Sequence, residues 1–377
     1  MIEPSKLEAL ELARGLEPTA VNLLRVARDT GDAASRWAFT QWELRKRAKA
    51  KFSRAEEMLF TREALEQATH EAIAAYHASI FRNLTDGRIA DLTAGIGADL
   101  IALAPGIGFE LDQERAEYAR HNLDLHGAEA QVHAGDCMQA EWGQYAYADP
   151  ARRVEGRRTL TLAEFAPNPM ELARRMTDLE LGCMKLTPML PDPALASLGP
   201  RLEFISFGGE CREALVISGR QAQPGRWAVH VESGEMLDAS QQVAISPFRE
   251  TQKDEMHRYL YEADPAAIRA HCLPHLSEQH GLTFLGDSNG YLTSDAAIDS
   301  VWLTRFEVLY SGKGDSSNTK DALRKLDAAK PILKQRGAHQ DLAKLSKAFP
   351  AYGARPIALV IWPVGKSLRH TIVAIGS

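Results

Sequence analysis

The sequence predicts an α/β protein: a parallel sheet wound with helices at its centre, a helical segment before it and a smaller α+β segment after it. Two observations lead there. Between residues 88 and 150, short apolar runs alternate with amphipathic runs, the pattern of successive βαβ units. On either side the alternation is missing. The first 80 residues repeat Leu and Val at near-helical spacing, and beyond about Ser240 helices and strands follow no regular order. A chain of 377 residues also exceeds one ordinary core. We therefore expect an N-terminal helical domain at 1–80, a sheet domain at 81–240 and an α+β domain at 241–377.

In the first segment, Leu7, Leu10, Leu12, Leu16, Val21, Leu23, Leu24 and Val26 mark helical faces. Residues 63–81 are rich in Ala, Leu and Glu and predict one helix. Thr61 stands before it, without the Glu three positions on that would complete a capping box. In the centre, 88–94 reads as a buried strand, Gly95-Ile96-Gly97 as a tight turn and 98–104 as a helix. Residues 107–112 form a second strand, and 113–126 an amphipathic helix that Gly127 stops. Residues 130–136 and 145–150 give a third and a fourth strand. Further strands are expected at 181–188, 201–209, 213–219 and 226–233. In the last segment, 264–281 and 319–336 read as helices, 306–311 as a strand, and 356–364 and 370–377 as closing strands.

Composition excludes several classes. No apolar run reaches the roughly 18 residues of a membrane span. Cys137, Cys183, Cys211 and Cys272 are widely spaced with no CxxC pair, so neither a zinc site nor a disulfide framework is expected. A reducing cytoplasm is the simplest setting. The net charge of −6 argues against indiscriminate binding to nucleic acid. Three local basic clusters stand against it: Arg45–Arg54, then Arg152, Arg153, Arg157 and Arg158, then Lys313–Arg336. Such runs are commonly solvated faces.

The candidate site lies at the carboxyl ends of the central strands, where open α/β sheets bind ligands. Asp91, Thr93, Gly95 and Gly97 form the turn after the first strand, and glycine there lets backbone approach a ligand. A dinucleotide site would use the same turn. However, Leu100 replaces the third glycine of GxGxxG, and Asp99 would repel a pyrophosphate at the helix start. Glu110 ends the second strand near the spacing at which a carboxylate meets ribose hydroxyls, with Asp112 either its alternative or a cap of the next helix. Asp136 ends the third strand, where it either accepts from an adenine amino group beside the Cys137 backbone or only shapes a turn. Asp149, Pro150 and Arg152 follow the fourth strand as the candidate catalytic group.

The motifs DLTAGIGAD, FELDQERAEYARHN, HAGD and ADPAR resemble, in order, those of class I S-adenosylmethionine (SAM) dependent methyltransferases, over roughly residues 81 to 240. With FTREALEQAT, DPARR and YLYEADPAAIRA, nearly the whole chain resembles a bacterial group of these enzymes with a C-terminal THUMP-like domain. The resemblance implies a Rossmann-like seven-stranded sheet with an antiparallel terminal hairpin, and SAM contacts at Asp91, Gly95, Gly97, Glu110 and Asp136. It also implies an RNA substrate, tRNA first, because THUMP domains bind RNA. Ala151 and Arg152 stand where amino-methylating relatives carry Pro and a stacking aromatic, which argues against an exocyclic amine as target. Cys183 lacks the Ser-Cys-Asn context of uracil-C5 enzymes and reads as core. The expected chemistry is direct transfer to a base nitrogen or oxygen, with Asp149 orienting the nucleophile and Arg152, with Arg153, holding phosphate or base. Gln67 and Thr69 lie within reach of the pocket, although core or capping roles are the plainer expectation. The alternatives are a methyltransferase of a small molecule or protein, an RNA-binding protein without activity, and a nicotinamide-dependent dehydrogenase. Oligomeric state is not legible.

Overall fold

A computed structural model describes residues 2–82, 84, 87–151, 153–154, 157–240, 255–287 and 289–375. Its contacts divide the chain into two compact units, one of residues 1–201 with 215–223, the other of 202–214 with 224–377.

In the first unit, α1 (Pro4–Leu12) opens on proline, whose missing N–H costs nothing in a first turn. Thr19 caps α2 (Ala20–Thr30) by accepting from Asn22 N at 3.2 Å, and α3 (Asp32–Ala48) follows. The helix expected over 63–81 is two helices, α4 (Arg62–Gln67) and α5 (Glu71–Arg82). Thr61 does cap α4, accepting from Ala64 N at 3.1 Å. The break between them has a cause far away in sequence. The Lys51 ammonium donates to the carbonyls of Leu65, Glu66 and Ala68 at 2.9, 3.1 and 2.6 Å, satisfying the groups that end α4. Arg45 is buried and donates to the carbonyls of Met58 and Glu57. Burial pushes its guanidinium down to about 10. The first basic cluster is thus partly internal scaffolding and not a uniformly solvated face.

The sheet of this unit is built from β1 (Ile89–Asp91), β2 (Gly106–Glu110), β3 (Ala130–Ala134), β4 (Tyr145–Ala148) and, after a two-residue ribbon β5 (Arg153–Val154) and β6 (Arg157–Arg158), β7 (Leu181–Leu186). β1 pairs in parallel with β2 and β4, β2 with β3, and β4 with β7. Helices α6 (Ala98–Leu103), α7 (Gln113–His126), α8 (Pro169–Met176) and α9 (Asp192–Ala196) make the crossovers. Gly127 ends α7 at φ 62°, as its sequence position suggests.

The helices expected as a separate domain belong to this unit. Leu10, Phe39, Leu44 and Phe60 share one core cluster with Ile96 and with Tyr118 of α7. Asn122 of α7 is fully buried. It accepts from Leu59 N at 2.8 Å and donates to the carbonyls of Leu59 and Ile96 at 3.1 and 2.9 Å, tying helical layer to sheet layer.

The second unit begins with β8 (Arg201–Phe207) and β9 (Glu210–Ser218). Gly208 and Gly209 join them at φ 63° and 72°, the paired left-handed conformation of a tight hairpin turn. β9 finishes in the first unit, at the β7 edge of its sheet. Beyond the seven strands expected come β10 (Gly225–His230) and β11 (Glu235–Asp238), an antiparallel pair. A further seven-stranded sheet contains β12 (Tyr259–Ala263), β13 (Thr283–Phe284), β14 (Tyr291–Ser294), β15 (Leu303–Lys313), β16 (Ile332–Gln335), β17 (Ile357–Val364) and β18 (Ser367–Ala374), in the order β13-β14-β12-β15-β18-β17-β16. The helix expected at 264–281 is broken at His271, φ 64°, into Pro265–Arg269 and Leu273–His280. The one expected at 319–336 stops at Lys325. Asp327 turns at φ 51°, Pro331 cannot rejoin a helix, and Ile332–Gln335 instead becomes β16, parallel to β17. No helix among the described residues is long and apolar enough to cross a membrane.

Candidate active site

At the tip of β1 the chain turns through Leu92–Gly97 under the control of carboxylates. Asp91 Oδ1 accepts from Thr93 N at 3.0 Å, and Glu110 Oε2, on the tip of β2, accepts from Gly95 N at 3.0 Å. Gly95 and Gly97 hold φ 56° and 85°, where a side chain is strained. A Cβ on Gly97 would also meet the backbone of Ala119 in α7 at 3.5 Å. Leu100, which stands where a third glycine would allow close packing, is fully buried. Its room comes from the strand: a Cβ on Gly106 or Gly108 would approach its methyls to 2.9 and 2.6 Å.

The next tips are built in the same way. Glu110 Oε1 accepts from Asp112 N at 2.9 Å, and Asp112 caps α7 by accepting from Arg115 N at 2.8 Å. After β3, Asp136 accepts from Met138 N at 2.9 Å and starts a single 3₁₀ turn. Trp142 donates its ring N–H to the Cys137 carbonyl at 2.7 Å. Arg175 stacks 3.7 Å from the Trp142 ring centre and donates to the Met138 and Ala140 carbonyls at 2.8 and 3.0 Å. This loop is therefore rigid. Burial, and then the Asp136 charge, push the Cys137 thiol up to about 11, so it presents backbone and not a thiolate. After β4, Asp149 N donates to Thr93 Oγ1 at 2.6 Å.

These tips enclose a cavity of about 330 Å³, at the lower end of the ~300–1,000 Å³ of small-ligand pockets. Thr93, Gly95, Glu110, Asp136, Cys137 and Asp149 line it. Asp91, Gly97 and Pro150 do not. Asp91 is 1% exposed, behind the wall, where it shapes the turn. Burial above all, with the nearby Asp99 charge, holds its carboxyl well above the usual carboxylate range against the pull of Thr93 N–H. Arg152 lies outside the described residues.

The cavity has walls that sequence reasoning left out or ranked low. Gln67 and Thr69, from the corner between α4 and α5, line it and are not merely core or caps. So do Ala166, Pro167 and Asn168. Backbone bonds between Ala151 and Ala166, 2.8 and 3.1 Å, bring that segment alongside Asp149. Lys185 at the end of β7 donates to Asp149 Oδ2 at 2.5 Å and to Thr69 Oγ1 at 2.9 Å. Thr69 donates to Asp99 Oδ2 at 2.7 Å, and Asp99 Oδ1 meets His77 Nδ1 at 2.8 Å. Asp99 is thus not a helix cap. Burial alone, the strongest influence, would raise its carboxyl, but the His77 bond and charge, Lys185 and Thr69 together bring it below the usual range. The signal for Lys185 was one charge inside the apolar run LGCMKLTP.

The donor set fits an adenosine ligand without phosphates. The Thr93 and Gly95 amides, which a phosphate loop would offer to its ligand, are already donated to Asp91 and Glu110. The tips carry carboxylates, which repel phosphate and suit hydroxyls, amines and a cation.

Comparison with known proteins agrees with that chemistry. Two relatives from Mycobacterium tuberculosis, of strains CDC 1551 and H37Rv, are each 30% identical to this chain over 358 residues. The match covers 90% of this chain and 96% of theirs, and both are named uncharacterized S-adenosylmethionine-dependent methyltransferases. A crystal structure of a candidate methyltransferase from Porphyromonas gingivalis W83 superposes over the full length of both chains with TM-score 0.79 at 22% identity. No protein-family profile matches the chain.

Proposed function

The chain belongs to the S-adenosylmethionine-dependent methyltransferases, and from that premise we propose that it methylates a base in RNA, with tRNA the first pool to examine. SAM is its cofactor and, when bound, supplies a methyl group activated by a cationic sulfonium. In this reading Glu110 receives the ribose hydroxyls, since each carboxylate oxygen keeps acceptor capacity beyond its one backbone amide. Asp136 and the Cys137 backbone face the adenine, and Thr93 and Gly95 form the floor.

Asp149 orients the nucleophile. Its carboxylate is held by the Lys185 ammonium at 2.5 Å and can accept an N–H or O–H from a target atom, although a carboxylate is a weak base. That suits a nitrogen or oxygen that already carries a lone pair. It does not suit a carbon, which needs a nucleophile first. Cys183 lies within β7, fully buried, so no thiol of that strand is offered to a substrate.

The RNA substrate rests on one observation. In an acidic chain, residues 313–355 of the second unit carry ten Lys and Arg against four Asp and Glu. Lys313, Lys325, Lys330, Lys344, Lys347 and Arg355 are exposed there, and Arg324 lies 5.1 Å from the Tyr352 ring centre. Exposed cations with an aromatic among them suit a polyanion with bases to stack. We read this unit as the THUMP-like part. The test is transfer of label from methyl-tritiated SAM to RNA purified from a strain that lacks this gene. Label in the tRNA fraction, with binding that falls steeply as salt rises, is the expected result. Label in protein or small metabolites and none in RNA would refute it.

A further inference from the structure

We propose that Asn168 is a specificity-determining residue: its side-chain amide donates to an acceptor on the target base, beside the atom that Asp149 orients. That the occupant is a base rests on the RNA reading, whereas the placement of Asn168 does not.

After β4 the chain runs alongside the segment that leads into α8. Ala151 and Ala166 form an antiparallel bridge, each donating its N–H to the other's carbonyl, at 2.8 and 3.1 Å. In antiparallel backbone, residues two positions from such a pair, at the same end, stand opposite each other, and side chains two apart share a face. That sets Asp149 across from Asn168, on the face of the two alanines. All four residues line the cavity, whereas Pro150 between them does not. Ala151 and Ala166 are exposed and carry only methyl groups, so they leave a shallow floor on which a flat ring can lie between carboxylate and amide.

The chemistry of Asn168 fits a ligand on that floor. Its Oδ1 caps α8, accepting from Met170 N at 2.9 Å and Glu171 N at 3.4 Å. An oxygen committed to two backbone donors fixes which way the amide points. Nδ2 carries two protons, and it donates to no group among the described residues. The Asp149 carboxylate opposite is an acceptor, held from behind by Lys185. An unstacked base presents donors and acceptors side by side on its edge, so an amide donor facing a carboxylate acceptor grips two of its atoms at once.

Asn168→Asp separates the cap from the donor. Aspartate caps a helix as well as asparagine and suits the helix dipole, but its carboxylate has no proton to give. The assay is single-turnover transfer from labelled SAM to limiting RNA from a strain that lacks this gene. Calorimetry with S-adenosylhomocysteine and thermal melting are run on the same full-length preparations. Asn168→Asp should melt no lower than the parent and bind S-adenosylhomocysteine within threefold. It should transfer methyl about ten- to a hundredfold more slowly, because a donor is lost and two acceptors then oppose each other. Asn168→Ala should lose transfer by a similar factor and also melt lower, since the cap goes with the donor. Transfer at the parent rate by the Asp variant would overturn the proposal and leave Asn168 a helix cap. A loss of S-adenosylhomocysteine affinity that matches the loss of transfer would also overturn it, because the contact would then be to cofactor. A parent protein that labels no RNA would instead refute the RNA reading, and the base as occupant with it.

Discussion

Glu110 offers the sharpest perturbation of the cofactor pocket. Its two carboxylate oxygens hold the Gly95 and Asp112 amides at 3.0 and 2.9 Å, and the residue lines the cavity. In Glu110→Ala both amides lose a charged acceptor and the ligand loses its ribose partner. A hydrogen bond to a charged group nets about 1.5–3 kcal/mol. The residue is half-buried, so water replaces part of what is lost at the Asp112 amide. The two ribose hydroxyl bonds, each at the lower bound, give about 3 kcal/mol, or roughly a hundredfold in affinity, while the amide bonds, made with or without ligand, count towards folding. Glu110→Gln keeps one acceptor oxygen and the side-chain shape, and should lose about tenfold. The assay is calorimetric titration with S-adenosylhomocysteine, alongside melting curves. An Ala variant that is folded and binds within threefold of the parent would refute the account of this strand tip.

Three further outcomes follow from the geometry. Asp149→Ala should abolish methyl transfer in single-turnover experiments while SAM affinity stays within a few-fold, and retained turnover would remove Asp149 from the chemistry. Asn122→Leu strands one buried N–H and two carbonyls. It should cost about 2–4 kcal/mol, lowering the melting temperature of the helical layer and the sheet together, whereas loss of the helical signal alone would contradict their common core. Asp91→Asn tests a carboxyl whose folded value is raised by burial and by Asp99. Such a group supports folding while protonated and loses that support as pH rises from its ordinary value of 3.8 through its raised one. The Asn variant should therefore gain stability relative to the parent as pH increases across that window, then level off. Urea denaturation at several pH values reads this, and parallel curves would contradict it.

The parts of the site written in local sequence were legible. A glycine turn after an apolar strand, and carboxylates at the ends of the next ones, follow from strand period and helix caps; Thr93, Gly95, Glu110, Asp136, Cys137 and Asp149 meet at the cavity for that reason. What was not legible depends on side chains that meet across long separations. Lys185 lies 116 residues from Thr69, and no periodicity announces that pair. Asp91 looked like a ligand contact because it ends a strand, but a strand-end carboxylate can face inward and serve its own turn. The separate helical domain failed as an expectation because Asn122 and Tyr118 present polar and apolar atoms to the N-terminal helices. Residues 332–335 follow a helix and continue its composition, but Pro331 marks its end and their parallel partners in β17 lie 26 residues on.

The central claim is that the strand tips hold a phosphate-free, cationic adenosine cofactor. Equilibrium dialysis with labelled SAM, challenged by unlabelled S-adenosylhomocysteine and by NAD, tests it most directly. The account predicts one SAM per chain, displaced by S-adenosylhomocysteine and indifferent to NAD. Displacement by NAD at similar concentrations, or no retained SAM by a folded protein, would contradict it.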